Sequence, residues 1–279
     1  MSIARLMQMA RAGVPTGGGD VWTDPDLANA SYDSVSFSVT TQDGNPQGIF
    51  FKPDGTKMYM VGSSGDDVNE YDLSSAWDIS TASYLQNFSV ASQESVPANL
   101  FFRSDGLKMY VIGTGSDAVN EYDLSIAWDV SSASYIQNFS VATEETLPTG
   151  LFFKPDGTKM YMLGAAGDDV NEYTLSTAWD ISTASYSQNF SVASQDGGPE
   201  TVLFNPDGTK VFIIGRANDS VHQYNLSTAW DVSTASYASI SFSVAGQETN
   251  PRGLFFKSDG SKMYVVGITT DTIFQYSTD

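Results

Sequence analysis

An all-β chain folded as a five-bladed β-propeller of four-stranded antiparallel blades is what the sequence predicts, on three observations. An Asp-Gly pair recurs at Asp54, Asp105, Asp156, Asp207 and Asp259, a spacing of 51 residues three times and 52 once. A period of this length belongs to arrays and propellers rather than to ordinary globular folds. Each repeat holds four short runs rich in Val, Ile, Tyr and Phe, the composition and length of strands, and four antiparallel strands repeated around a ring make a propeller. The last repeat stops after its third run, and the N-terminal side carries the missing fourth: Trp22-Thr23-Asp24 and residues 30–39 (ASYDSVSFSV) match Trp230-Asp231 and residues 235–244 (ASYASISFSV). A strand from the start of the chain therefore completes the fifth blade and ties the ring shut, which removes the exposed end blades of an open array. An open solenoid would need distinct end caps, and none is evident.

Taken in order, residues 1–20 stand apart from the propeller of residues 21–279. Ile3, Leu6, Met7 and Ala10 fall at the i, i+3, i+4, i+7 spacing of one helix face. Ser2 is placed to cap that short amphipathic helix, and Gly13, Pro15 and Gly17-Gly18-Gly19 end it as a flexible linker. Arg11 interrupts the apolar stretch, which argues against a signal peptide. The segment reads as an anchor that docks on a partner or as a partly ordered tail. Residues 21–39 supply the closing strand. In the first full repeat, residues 49–52, 57–61, 68–73 and 84–90 are the expected strands, the first two joined by the turn of Pro53-Asp54-Gly55. The fourth repeat departs most: Asn205 replaces a basic residue, Phe212 a tyrosine, and His222-Gln223 an Asn-Glu pair, with Arg216-Ala217-Asn218 in its loop.

Two connections per repeat hardly change, the Asp-Gly turn and the Ala-Trp-Asp connection of Ala76-Trp77-Asp78, and both fall on one face of the ring. The other two vary and share the opposite face. They are the loop between the second and third strands (Ser63-Ser64-Gly65 and its copies) and the link into each blade (Asp43-Gly44-Asn45 and its copies). Variation confined to one face marks it for contact, or for drift under little constraint.

A net charge of −20 makes a nucleic-acid partner unexpected, because backbone binding needs clustered Lys and Arg. The acidity itself serves solubility. No apolar run approaches the roughly 20 residues of a membrane span, so no membrane insertion is expected. The chain has no cysteine, hence no disulfide framework or thiolate metal site.

Few residues suggest chemistry. Trp22, Trp77, Trp128, Trp179 and Trp230 fall one per blade and are expected to pack between blades rather than stack on sugars. Asp66, Asp117, Asp168, Asp219 and Asp271 precede the third strand and are expected to bond to turn amides, with a cation site as the alternative. Glu70, Glu121, Glu172, Gln223 and Gln275 share a position that would be buried against the next blade. Asp43, Glu94, Glu145, Asp196 and Glu248 put one acid per blade on the variable face. They form either a solvated acidic rim or a carboxylate ring able to hold Ca²⁺, the one cofactor candidate. Gln47, Ala98, Thr149, Glu200 and Arg252 each follow a blade proline and differ in every copy, so with Arg216 they mark an asymmetric ligand site at the channel mouth. His222 is the only histidine, which disfavours a Ser-His-Asp triad. Asn87-Phe88-Ser89 and similar triplets match a glycosylation pattern but recur because the strand recurs.

The run from Phe51 to Tyr59 (FKPDGTKMY), followed by Asp67-Val68-Asn69-Glu70-Tyr71-Asp72-Leu73, resembles the YVTN and lactonase-like propeller repeats. The chain as a whole more closely resembles propeller-bearing virion proteins of marine tailed phages, through its first ten residues (MSIARLMQMA), the Gly-rich link and the signature of residues 230–237 (WDVSTASY). That resemblance implies a non-enzymatic virion structural protein (fibre, tail or capsid decoration) on the particle surface. Its N-terminal helix, through Ile3, Leu6, Met7 and Ala10, would dock on other virion proteins, and its variable face would contact a host surface glycan or protein. The alternative is a multivalent lectin-like propeller with five equivalent sites. A glycosidase or lactonase-type enzyme is the least supported reading. Glycoside hydrolysis usually needs two acids at a set separation, and the expected first strands contain none.

Overall fold

The computed structural model describes residues 22–279; the expected N-terminal helix, with Ile3, Leu6, Met7 and Ala10, lies outside the described residues. Blade I comprises β2 (Pro46–Phe51), β3 (Lys57–Gly62), β4 (Asp67–Leu73) and β5 (Ala82–Ser89). Blade II comprises β6 (Pro97–Phe102), β7 (Lys108–Gly113), β8 (Ala118–Leu124) and β9 (Ala133–Ser140). Blade III comprises β10 (Pro148–Phe153), β11 (Lys159–Gly164), β12 (Asp169–Leu175) and β13 (Ala184–Ser191). Blade IV comprises β14 (Pro199–Phe204), β15 (Lys210–Gly215), β16 (Ser220–Leu226) and β17 (Ala235–Ser243). Blade V takes β18 (Pro251–Phe256), β19 (Lys262–Gly267) and β20 (Thr272–Ser277) from the end of the chain and β1 (Ser31–Ser38) from its start, in the order β1-β20-β19-β18. The innermost strands touch in sequence around the axis, and β18 returns against β2. The ring is closed as the sequence predicts.

Strand boundaries differ from the expectation at the axis. Each inner strand begins at the blade proline, two to three residues earlier than the hydrophobic run, because a bulge follows that proline: Pro46 pairs with Gly62 and Gly48 already with Val61. The bulge places Gln47 and its counterparts on the inner strands, so Glu200 lies on β14 and corrects the expectation that these strands hold no acid. The single 52-residue spacing has a local cause. In β17 two residues, Ala238 and Ser239, fall between the partners of Gln223 and Tyr224, where β5 inserts only Leu85. Ser239 takes φ 59° to make the wider bulge.

Blades are joined by repeated contacts on the lower face, where the Asp-Gly turns lie. The Tyr59 hydroxyl donates to the Trp128 carbonyl of the next blade at 2.7 Å, and Tyr110, Tyr161 and Tyr264 donate in the same way to Trp179, Trp230 and Trp77. Trp77, Trp128, Trp179 and Trp230 each lie over the turn glycine of their own blade: a Cβ on Gly55 would meet the Trp77 ring at 2.4 Å, and Gly55 needs φ 72° besides. Gly260 of blade V faces the Thr23 carbonyl instead. Trp128 also stacks on Phe50 of blade I at 6.4 Å. Packing between blades is thus the tryptophans' role. Glu70 is buried at the same junction, as expected, and accepts from Lys57 at 2.5 Å, Gln86 at 3.0 Å and the Val130 amide of blade II at 3.0 Å. These partners satisfy a carboxylate that burial would otherwise make costly.

Two irregularities of the fourth repeat, Phe212 and Asn205, follow from the seam. No chain segment links β20 to β1, so blade V lacks the Ala-Trp-Asp connection whose carbonyl would accept from blade IV. The donor tyrosine's place is accordingly taken by Phe212, which has no hydroxyl and packs at 4.9 Å from Phe256. Lys210 and Asn205 turn instead to Asp24. Phe212→Tyr is therefore expected to lose about 1–3 kcal/mol by burying a hydroxyl without an acceptor, read as a lowered thermal midpoint.

Candidate functional site

The upper face carries the variable loops, and each is built around one buried carboxylate. Glu94 accepts from the amides of Val96 (2.9 Å), Gly115 (2.7 Å) and Ser116 (3.2 Å) and from the Ser116 hydroxyl (2.5 Å). Asp43 binds the amides of Asn45, Ser64 and Gly65; Glu145 those of Leu147, Ala166 and Gly167; Asp196 those of Gly198, Ala217 and Asn218; Glu248 those of Asn250, Thr269 and Thr270. All five are at most 2% exposed. The solvated rim is therefore corrected: these acids are interior staples that tie the blade link to the second-to-third-strand loop. Bonds from several amides satisfy a carboxylate that is shut away from water. Each acid's oxygens are committed to its own loop, an arrangement that lends no support to a shared Ca²⁺ ring. Among the described residues no three His, Cys, Asp or Glu side chains gather as a metal would require.

Asp66, Asp117, Asp168, Asp219 and Asp271 do not bond to turn amides as expected. Their backbones are left-handed, with φ between 49° and 51°, and their carbonyls accept from Val90, Val141, Val192, Val244 and Val39. In all five the Oδ1 atom is buried without a partner. Burial, and then the neighbouring staple carboxylates, push Asp66, Asp168, Asp219 and Asp271 above the ordinary carboxylate value of 3.8. A raised carboxylate stabilises the fold only while protonated, and that contribution is lost as pH rises from 3.8 through the raised value. Asp66→Asn, which keeps a side chain suited to the left-handed region, is expected to gain about 0.5 kcal/mol at neutral pH after solvent screening. The gain should vanish below pH 3.8. Thermal melts across that range check it; a loss on substitution would point to a bound cation.

At the channel mouth the five copies diverge. Ala98 contributes only a methyl group. Gln47 donates to Asn45 at 2.9 Å, and Thr149 to the Pro199 carbonyl at 2.9 Å. Glu200 is 3% exposed, and its Oε1 meets both Arg216 Nε at 2.7 Å and Arg252 Nη1 at 2.6 Å. Burial pushes the Glu200 carboxyl upward, against the pull of the two guanidinium groups. The structure thus brings the Glu200, Arg216 and Arg252 side chains together from blades IV and V; Gln47 lies across the blade V–I boundary, its carbonyl 2.9 Å from the Cβ direction of Gly253, and the Thr149 hydroxyl reaches the Pro199 carbonyl. Below the mouth, Asn99 Nδ2 donates to Thr201 Oγ1 at 3.0 Å across the axis, from blade II to blade IV. Gly48, Gly150 and Gly253 stand at the same level of the other blades; a Cβ on Gly48 would lie 3.0 Å from the Asn99 backbone. His222 is buried, 4.0 Å from Asp196, and both ring nitrogens lack partners. Burial holds it below its ordinary value.

Under the Asn99–Thr201 bridge the axis opens downward into an apolar cavity of about 310 Å³, lined by Phe50, Phe101, Phe152, Leu203 and Phe255, with Trp22, Trp77, Trp179 and Trp230 towards its rim. Phe50, Phe101 and Phe152 meet edge-to-face at 5.5 Å. Such a chamber accommodates apolar groups and offers no acid or base. The sequence signal was present in the repeated Phe-Phe pair, but which ring faces the axis depends on the bulge after each proline.

No protein-family model matches the chain, and no curated protein matches it. Among solved structures it is similar to a proposed 6-phosphogluconolactonase from Bacteroides fragilis NCTC 9343, with 17% identity and a TM-score of 0.50 over 71% of this chain and 55% of that one. It is also similar to a proposed 6-phosphogluconolactonase from Bacteroides uniformis ATCC 8492 (13% identity, TM-score 0.48, 78% and 63% of the two chains). A third is the β-propeller domain of Cps50 (Swd1) from Myceliophteria thermophila (12% identity, TM-score 0.46, 84% and 70%). The chain spans 55% and 63% of the length of the two Bacteroides proteins. At these identities the likeness concerns architecture alone: the chain is a five-bladed β-propeller with lactonase-like structural neighbours.

Proposed function

We propose that the chain is a non-enzymatic structural protein of a phage virion, attached to other virion proteins through its N-terminal segment and contacting a host surface glycan or protein with its upper face. The observation that carries this reading is the construction of that face. Its variable tips rest on loops locked by five buried carboxylates, which presents differing side chains on a rigid base, as recognition surfaces require. The resemblance in the first ten residues and in the residue 230–237 signature supplies the virion context. Hydrolysis has less to stand on. The staple acids are engaged by amides, and Glu200, the acid on an inner strand, is held by two arginines.

The unequal mouth favours one site per chain over the five equivalent sites of a multivalent lectin. Immunogold labelling of intact particles with an antibody to the propeller tests the virion assignment. Discrete labelling at tail, vertex or capsid is expected. Unlabelled particles, with the protein free in the lysate, would overturn it. Titration of a bound host glycan should then saturate at one per chain; a value near five would restore the lectin.

A further inference from the structure

Charge is distributed unequally between the two faces. On the lower face every Lys and Arg among the described residues is paired with an acid, from Lys52 with Asp54 to Lys262 with Asp33. The upper face has two cations among the described residues, Arg216 and Arg252, and both turn to the same oxygen of the same carboxylate. Glu200 is the carboxylate that both guanidinium groups contact; Asp196 lies close by, with its oxygens held by the Gly198, Ala217 and Asn218 amides. The Arg216 side chain is 43% exposed. Its guanidinium meets Glu200 at Nε, and a guanidinium carries five donors, more than one carboxylate oxygen can occupy. Arg252 meets Glu200 through Nη1, and its Nε is buried without a partner. Beside Arg252 across the blade V–I boundary lies a neutral polar group: Gln47 donates to Asn45, and Asn45 to the Ser63 hydroxyl at 2.8 Å.

We propose that Arg216 and Arg252 bind the anionic group, carboxylate or sulfate, of an acidic sugar at the upper mouth, with Glu200 as the positioning residue that aligns the two guanidinium groups. This rests on the host-contact reading above and names its ligand class. The arginines supply the charge, and the Gln47–Asn45–Ser63 amides and hydroxyl supply partners for sugar hydroxyls, which a bare anion would not use. The long-range field of a molecule of net charge −20 repels anions. Binding therefore depends on short-range pairing, and Glu200 competes directly with the ligand.

Calorimetric titration of the full chain at constant ionic strength, with D-glucuronate, D-glucose 6-sulfate, D-glucose and inorganic sulfate as probes, tests this. One of the two acidic sugars, or both, should bind at one per chain, and D-glucose should not; which acidic sugar binds tells carboxylate from sulfate recognition. Arg216→Gln, at an exposed position, should weaken binding about tenfold, the value of one charge-assisted pair. Glu200→Gln should tighten it about tenfold, because the amide oxygen still aligns the two guanidinium groups while the competing negative charge is gone. Arg103→Gln, which removes the same charge from the lower face, should leave it unchanged. Absence of saturable binding by both acidic sugars overturns the proposal, as does binding indifferent to Arg216→Gln. Inorganic sulfate binding as tightly as the sugars overturns the sugar assignment. Particle labelling with no acidic-sugar binding would sink this inference and leave the virion role standing; acidic-sugar binding with unlabelled particles would do the reverse.

Discussion

Glu94→Ala is expected to cost the fold about 3–5 kcal/mol, because it strips the acceptor from three backbone amides and from the Ser116 hydroxyl, the four bonds that hold the loop to the blade link. For a chain of this size that corresponds to a fall of roughly 6–15 °C in the thermal midpoint. Limited proteolysis should locate the damage in residues 114–116, the loop that loses its hold. Glu94→Gln is the informative companion. It keeps the shape but turns an amide NH₂ towards N–H donors, so it should recover only part of the loss. A chelator should leave the wild-type midpoint unchanged, since amides and not a cation satisfy the carboxylate. A chelator-induced fall matching the Glu94→Ala deficit would overturn the staple and restore the Ca²⁺ ring.

Gly164→Ala is the second large effect, and it arises from the same device in blade III. A Cβ on Gly164 would stand 2.0 Å from Glu145 Oε2. The methyl group cannot enter unless the carboxylate leaves its amides, so overpacking and loss of the staple add, for about 3–5 kcal/mol. Equivalent conflicts await a Cβ on Gly62 and Gly215, at 2.2 Å from the staple carboxyl carbon. Gly246→Ala is the control: nothing lies within 4 Å of its Cβ direction, and a change within about 0.5 kcal/mol is expected. Chemical denaturation of the two variants side by side checks the pair. Equal stabilities would mean that the strand-end glycines answer to backbone conformation and not to the acid behind them.

The sequence was most legible where a signal is local and repeated. Pro53-Asp54-Gly55 marks its turn because proline presets one dihedral and glycine tolerates φ 72°, and Val68, Glu70 and Tyr71 announce the sides of a strand by alternation. The burial of Glu70 could be anticipated because its strand-mates fix its face. Asp43 and Glu94 were harder, since an acid in a variable polar link reads as exposed. Their burial depends on amides about twenty residues further along that come near only when β2 and β3, or β6 and β7, are paired. The side chain of Asp66 departs from expectation for a related reason: αL backbone geometry already satisfies the turn through the carbonyl, which leaves the buried Oδ1 without a partner.

By itself the sequence determined the number of blades, their four strands and the closure through β1, because periodicity and turn chemistry are properties of neighbouring residues. It also marked which repeat is irregular, though not why: Phe212 packs on Phe256 of blade V, the blade that β1 and β20 close without a covalent link. Tertiary structure alone decided which charges are spent and which remain. Arg252 and Glu200 lie 52 residues apart, and Asn99 and Thr201 lie 102 apart. Their meetings at the axis follow from bringing inner strands of different blades within a few ångströms, a proximity that no local pattern encodes.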